Sequence, residues 1–554
     1  MLHRFGDWPG IGRKSFRVSM GPVALSALVA AVLLIGYNRT FWALGLGIFS
    51  GHPVQLFCIM LAIFFLTLAF FSLFSFRALV RPFLAVMIVL TAVTSYYMDT
   101  LGVVIDREMV QNVVTTTFNE GKHLLTAGFV LHVLLLGGVP AALLLLVRVP
   151  RRGWGRTLAV PAVTFTLSIA LAAGLLFSNF KTYAAVLRER KDFMSSYQPG
   201  APLVGAVRFV RMVADTATAE VTPLGQDAAR GRAYVGARKP VLTVIVAGET
   251  ARAQNFSLDG YARDTNPELA RRDIVNFTDV RSCGTATAVS LPCMFSNFDR
   301  GSYTYEKGVE TETLLDVLSH AGFDVAWWDN NTGDKGIARR VGYLNFADSP
   351  EEAYCGAGEC TDGIMLDRLA AFLPTVTRDT VLVLHQIGSH GPTYFLRYPP
   401  EFEKFTPACR TAEFKDCTAD QIVNAYDNTI LYTDHILSQI IDMLGAQENV
   451  TTSLLYVSDH GESLGEGGLY LHGAPYFMAP DEQTKVPMLL WLSDGFRSRF
   501  GIDQTCLAQK RTAALSHDNL FHSVLGMLDV TTEVHDSALD IFTGCAPEEQ
   551  IARN

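Results

Sequence analysis

The chain has 554 residues, 49% of them hydrophobic, and a formal net charge of -9. That length exceeds what one ordinary core organises, so at least two domains are expected, and the acidic balance argues against a general nucleic-acid binder. The averages hide an asymmetry: residues 1–180 are mostly apolar with few acidic side chains, whereas 181–554 carry the charge and turn signals of a water-soluble domain.

Five apolar stretches, at about residues 20–38, 54–75, 82–98, 123–147 and 158–178, are long enough to cross a bilayer. The first is not read as a cleaved leader, because further spans follow it. Basic residues cluster before the first span (Arg4, Arg13, Lys14, Arg17), between the second and third (Arg77, Arg81), and between the fourth and fifth (Arg148, Arg151, Arg152, Arg156). That alternation places the N-terminus in the cytoplasm, and five crossings put everything after about residue 180 outside. The loop between spans three and four then lies on the outer side and contains REMVQNVVTTTFNE. If it is helical, Asn112, Thr116 and Glu120 recur every four residues and share one polar face, either solvated or receiving a lipid headgroup. Residues 181–240 read as an amphipathic bridge on the membrane surface, with Phe193, Met194, Val207, Phe209, Val210 and Met212 as its apolar side.

The outer part, 241–554, shows three buried strands that each stop on polar residues: KPVLTVIVAGET at Glu249 and Thr250, TVLVLHQIGSHGP carrying His385 and His390, and LLYVSDHG at Ser458, Asp459 and His460. Helical patterns over Glu312–Ala321, Asp362–Leu373 and Thr418–Met443 separate them, which makes an α/β sandwich with its reactive groups along one sheet edge. Glu249, Asp459, His390, His460 and His472 form a donor set of carboxylates and imidazoles without thiolate, which suits zinc better than manganese. SCGTATAVSLPC supplies hydroxyls at a loop-to-helix junction, where free backbone N–H groups favour a phosphoryl group. Thr285 and Thr287 are both candidate nucleophiles, Ser282 a weaker one, and helix capping is their alternative role. Asp427 and Asp434 read as helix-surface or hydrogen-bonding residues, Trp327 and Trp328 as core or rim. Gly465, Gly467 and Gly468 lack the Lys and hydroxyl of a phosphate loop and read as a flexible rim.

Cys58 lies in the apolar part, and Cys283, Cys293, Cys355, Cys360, Cys409, Cys417, Cys506 and Cys545 lie in the outer part. An even set in one domain signals an oxidising compartment. Short separations suggest local loops 283–293, 355–360 and 409–417 and a longer 506–545 pair, though spacing does not fix connectivity.

Taken together, GETARAQNFSLDGYARDTNPEL, SCGTATAVSLPCMFS, WWDNNTGDKG, GSHGPTY, YDNTILYTD and SDHGESLGE resemble the membrane phosphoethanolamine transferases that modify lipid A, in the alkaline phosphatase and sulfatase superfamily. The resemblance implies a five-helix transmembrane domain (1–180), the bridge (181–240), and an alkaline phosphatase/sulfatase-like α/β/α periplasmic domain (241–554) of a Gram-negative inner-membrane protein. It implies Thr287 as nucleophile, with Glu249, Asp459, His460 and Thr287 around one zinc and room for a second. His390 and His472 match positions that bind the substrate phosphate or that second zinc and could move protons. Asn331 and Lys335 match phosphate or headgroup positions, and Asn112, Thr116 and Glu120 match the polar strip from the membrane part. The implied reaction takes phosphoethanolamine from phosphatidylethanolamine onto Thr287, releases diacylglycerol, and passes the group to a phosphate of lipid A. Lower anionic charge on lipid A would weaken cationic peptides such as polymyxin. No nucleic acid partner is expected, and a monomer among membrane lipids is. Cys283 is followed by Gly284, Thr285, Ala286 and Thr287 rather than the C/S-x-P-x-R pattern of sulfatases, so sulfatase chemistry is not expected. A transferase acting on teichoic acid or core sugars is the enzymatic rival. A membrane-anchored lipid-binding protein with a structural metal is the non-enzymatic one.

Overall fold

The computed structural model describes residues 19–217, 220–348, 351–356 and 359–546, without the side chains of Asn119, Glu120 and Asp348. The basic cluster Arg4, Arg13, Lys14 and Arg17 lies outside the described residues. The chain divides into two compact units. One holds the residues up to Tyr96 with Phe129–Ala201, and the other holds Tyr97–Gly128 with the chain from Pro202 onward.

In the first unit, helix α1 (Pro22–Gly36) fills the first expected span and bends by 69° at its end into α2 (Arg39–Ile48). Asn38 sits at the bend, and its amide donates 2.9 Å bonds to the carbonyls of Leu33 and Gln198, tying the bend to a distant segment of the same unit. Helices α3 (Pro53–Ser72) and α4 (Val80–Leu101) follow. The loop after α4 belongs to the second unit and contains α5 (Arg107–Thr115). Ala127–Leu146 (α6) and Trp154–Ser178 (α7) complete the set, so among the described residues four helices, or five counting the bent pair, have the length and hydropathy to cross a membrane. Phe41, Phe49, Ile59, Met60, Ile63, Tyr183 and Phe193 pack together as a core of this unit, which places Phe193 of the expected bridge inside protein. Farther along the bridge, helix α8 (Gly200–Thr216) leaves Val207 and Val210 exposed and buries Met212.

The second unit is built on a seven-stranded sheet. Its strands are β1 (Val241–Gly248), β2 (Ile274–Phe277), β3 (Asp324–Asp329), β4 (Gly342–Asn345), β5 (Thr380–His385), β6 (Thr451–Ser458) and β7 (Met488–Leu492), in the spatial order β2-β7-β6-β1-β5-β3-β4. Parallel pairing of β6, β5, β3 and β4 around β1, with only β7 reversed, requires both faces to be covered. The alternation within β1 shows how. Val241, Ile245 and Ala247 pack with Leu291, Leu314, Leu318, Phe521 and Val524, while Leu242, Val244 and Val246 pack with Tyr426, Ile430, Leu437 and Ile440. Each fully buried aliphatic or aromatic side chain stabilises by about 1.5–3 kcal/mol, and the result is an α/β/α sandwich. The three expected helices appear as Leu314–His320, Gly363–Phe372 and Ala419–Gly445, the last opened by a Thr418–Gln421 capping box. Cysteines pair 283–293, 355–360, 409–417 and 506–545, and Cys58 is free.

Candidate active site

Because β1, β3, β5 and β6 run parallel, their C-terminal ends reach one edge together, where open α/β sheets place ligands. In register, Ser458 faces Gly248, Ala247 faces His385, and His385 faces Asp329. The residues immediately beyond β1 and β6 are Glu249, Asp459 and His460, all three fully buried, and their ligand atoms lie within 4.8 Å of one another. The turn tolerates no bulk: a Cβ on Gly388, whose φ is +50°, would stand 2.6 Å from the Glu249 carbonyl oxygen. Thr250, with φ +60°, holds a conformation unfavourable for a β-branched residue and thereby aims its N–H at Asp459 Oδ1, 3.1 Å away.

The donor set fits a cation on three counts. Among the described residues Asp459 Oδ2 is buried without a hydrogen-bond partner, and His460 Nε2 lies 3.4 Å from it. His460 Nδ1 donates to the Gly461 carbonyl at 2.9 Å, which leaves the Nε2 lone pair facing the cluster. Burial, and then the charge of Glu249, push the Asp459 carboxyl well above its usual range. For Glu249 burial acts upward, but His460, His390 and His472 outweigh it and hold the carboxyl low. Two carboxylates buried this closely call for a compensating positive charge.

Thr287 is the first residue of helix α9 (Thr287–Met294), whose N-cap position is Ala286. Its hydroxyl lies 3.0 Å from Glu249 Oε2, 3.2 Å from Glu249 Oε1 and 3.2 Å from His460 Nε2. The other candidates are engaged elsewhere, Thr285 Oγ1 donating to the Ala474 carbonyl and Ser282 Oγ to the Gly284 carbonyl, both at 2.6 Å. Gly473 N–H returns a 2.7 Å bond to the Thr285 carbonyl, so the loop after His472 and the loop before Thr287 clasp each other. The His472 ring lies 4.5 Å from that of His460 and 5.5 Å from that of His390. His472 Nδ1 is 2.9 Å from Glu462 Oε2, and Glu462 Oε1 accepts the Tyr394 hydroxyl at 2.5 Å.

Asn331 reaches the cluster, its amide donating to Glu249 Oε2 at 2.7 Å, whereas the Lys335 ammonium bonds Thr332 in its own loop. The continuous helical face expected for Asn112, Thr116 and Glu120 does not form. Helix α5 ends at Thr115, and Thr116 is extended with its N–H and hydroxyl on the Asn112 carbonyl; the Glu120 side chain lies outside the described residues. Gln111, which polar periodicity passes over, ties α5 to α9, donating to the Ala288 carbonyl at 3.1 Å. Sequence reading also passed over Asp362, whose carboxylate accepts Asn330 Nδ2 and the N–H groups of Ile387 and Gly388 and so shapes the turn against Glu249. His517 was missed too; it accepts the Cys283 N–H and donates to the Ser458 carbonyl. Asp427 and Asp434 are buried in hydrogen-bond networks rather than on a helix surface, and Trp327 and Trp328 are core. Gly465, Gly467 and Gly468 all have positive φ.

Residues 242–530 match the sulfatase family pattern, and residues 63–213 match that of the phosphoethanolamine transferases EptA/EptB. The chain is 39% identical to the phosphoethanolamine transferase EptA of Escherichia coli K12, over 96% of this chain and 98% of that protein. It is 37% identical to the phosphatidylethanolamine transferase Mcr-1 of Escherichia coli, over 94% and 97% respectively. Among solved structures, the lipooligosaccharide phosphoethanolamine transferase A of Neisseria meningitidis superposes with a TM-score of 0.92 at 36% identity, covering 96% of this chain and all of that one.

Proposed function

The chain belongs to the EptA/EptB phosphoethanolamine transferases of the alkaline phosphatase and sulfatase superfamily, and from that membership and the site geometry we propose that it moves phosphoethanolamine from phosphatidylethanolamine to a phosphate of lipid A through a phosphothreonine at Thr287. It is a multi-span inner-membrane protein whose catalytic domain faces the periplasm. The observation that carries the mechanism is the Thr287 hydroxyl, held within 3.2 Å of both Glu249 and His460 in a buried cluster able to hold a metal ion.

In this reading Glu249, Asp459 and His460 hold zinc, which when bound lowers the pKa of the Thr287 hydroxyl and offsets phosphoryl charge. The Thr287 hydroxyl gives up its proton to solvent and its Oγ attacks the donor phosphorus, while the departing diacylglycerol oxygen takes a proton from His472, its Nδ1 held by Glu462, or from His390. A lipid A phosphate oxygen then takes the group from Thr287. Asn331 and Lys335 bind the phosphate, and Asn112, Thr116 and Glu120 receive the ethanolamine headgroup. Residues 1–180 anchor the enzyme, 181–240 bridge along the membrane surface, and 241–554 catalyse, as a monomer. The carboxylate and imidazole donors favour one zinc, and the paired imidazoles of His390 and His472 leave room for a second.

Mass spectrometry of lipid A after incubation with purified protein, phosphatidylethanolamine and zinc tests this directly. A phosphoethanolamine increment with the native protein and none with a folded Thr287→Ala variant is the expected result. Transfer by that folded variant would remove Thr287 as nucleophile. Diacylglycerol release without modified lipid A would redirect the acceptor assignment.

A further inference from the structure

Asp329 and His385 close strands β3 and β5 and stand opposite each other in the ladder. Both side chains are 0% exposed, with His385 Nδ1 3.0 Å from Asp329 Oδ2. Asp329 meets donors on both oxygens. Oδ2 also accepts the Trp327 indole N–H at 3.0 Å, and Oδ1 accepts the N–H groups of Asn331 at 2.9 Å and Gly333 at 3.1 Å. An acceptor-only carboxylate requires the proton on His385 Nδ1.

The other ring nitrogen faces Asn331 Nδ2 at 3.3 Å. That same amide nitrogen is 2.7 Å from Glu249 Oε2 and 2.9 Å from the Gln386 carbonyl oxygen. Two oxygen neighbours identify it as the NH2 group, since the flipped amide would set oxygen against oxygen. A proton on His385 Nε2 would confront that NH2 donor, so Nε2 presents its lone pair. The NH2 group has two hydrogens for three acceptors: Glu249 Oε2 takes one at 2.7 Å, and the Gln386 carbonyl at 2.9 Å and Nε2 at 3.3 Å share the other. The chain therefore runs in one direction, from the Asp329 carboxylate through the neutral imidazole and the Asn331 amide to Glu249.

We propose that His385, held by Asp329 as the Nδ1–H tautomer, is a positioning residue that orients the Asn331 amide so that it donates to Glu249. The inference rests on the reading of Glu249 as a metal ligand. His385 acts at one remove, by fixing the carboxylate that the metal and the Thr287 hydroxyl share, as residues behind metal ligands commonly do.

The test compares His385→Gln with His385→Asn in the full-length, detergent-purified protein. The glutamine amide reaches the Nε2 position and restores an acceptor for Asn331, whereas the asparagine amide keeps a donor to Asp329 and withdraws that acceptor, leaving the shared Asn331 hydrogen to the Gln386 carbonyl alone. Zinc affinity measured by chelator competition is expected to weaken by about 10- to 100-fold in His385→Asn, with kcat falling alongside, and to stay within a few-fold of native in His385→Gln. Asn331→Ala should match His385→Asn, and the double variant should be no worse than Asn331→Ala alone. Native zinc affinity in His385→Asn, additive losses in the double variant, or equal losses in His385→Asn and His385→Gln would each overturn the proposal. Glu249→Ala separates the two readings, because native zinc affinity there would remove the metal assignment itself and this inference with it.

Discussion

At Asp459 the side chain serves two masters: Oδ1 accepts the N–H groups of Thr250 and His460, and Oδ2 is left for a cation. Without metal, burial beside Glu249 raises that carboxyl well above its usual range, so folding must either bury its charge or bind a proton, and Asp459→Asn, which can keep the Oδ1 bonds and needs neither, should raise the melting temperature of the chelator-treated protein. Zinc should then raise the melting temperature of the native protein and not of the variant, and a variant whose metal-free melting temperature is unchanged or lower would refute this account. His517 makes a second prediction. Burial pushes its pKa down to about 4 from an ordinary 6.5, and its bonds to Cys283 and Ser458 suit the neutral ring. A depressed histidine pKa means the unfolded chain takes up the proton first, so this contribution is full above pH 6.5 and is lost as pH falls toward 4. Thermal unfolding of His517→Gln should therefore show a flatter dependence across that window, and a slope equal to native would rule His517 out as its source.

Helix α5 shows where element-level reading succeeds and where it stops. REMVQNVVT reads correctly as a helix, but the four-residue periodicity that extends it through Thr116 to Glu120 ignores the local competition of hydroxyls for backbone carbonyls: Thr115 and Thr116 both bond back to the Asn112 carbonyl where the helix ends. The strands were legible because burial on two faces forces continuous apolar runs, and the abrupt polar stop at their ends located Glu249, Asp459 and His460. What periodicity cannot supply is which neighbours fill the third dimension. Thr285 and Thr287 are equivalent in a string, and only the fold spends one on Ala474 and sets the other against Glu249. Asp329 and His385 become partners only once β3 lies beside β5. Gln111 belongs to the same class, and Gln111→Ala leaves the Ala288 carbonyl unsatisfied one residue from Thr287. The cost of about 1–3 kcal/mol should appear as roughly tenfold slower turnover at native zinc content; unchanged turnover would show that α5 does not brace α9.

For the whole molecule, compartment and catalysis are linked through its disulfides. All four bonded pairs lie in the second unit, and the free Cys58 lies in the first, which is the distribution expected when one part faces an oxidising space and the other sits among apolar helices. Loop closure ranks what each pair contributes: the 506–545 bond closes a separation of 39 residues, 283–293 one of 10 and 355–360 one of 5. On chain entropy alone these correspond to about 4, 3 and 2 kcal/mol. Activity should not follow that order. Cys506 and Cys545 tie the C-terminal segment to the helix Gln504–Gln509, whereas Cys283 and Cys293 bracket Thr287 and hold the loop that His517 and the Gly473 clasp also grip. Paired serine substitutions at 506 and 545 should therefore lower the melting temperature most and leave turnover of the folded enzyme near native. The same change at 283 and 293 should cost less stability and most of the transfer, because on the proposed mechanism a Thr287 hydroxyl displaced by even an ångström loses its approach to Glu249 and His460. Equal losses of activity for the two variants at matched folding would mean that oxidation protects the domain as a whole and that the loop around Thr287 keeps its geometry without a clasp.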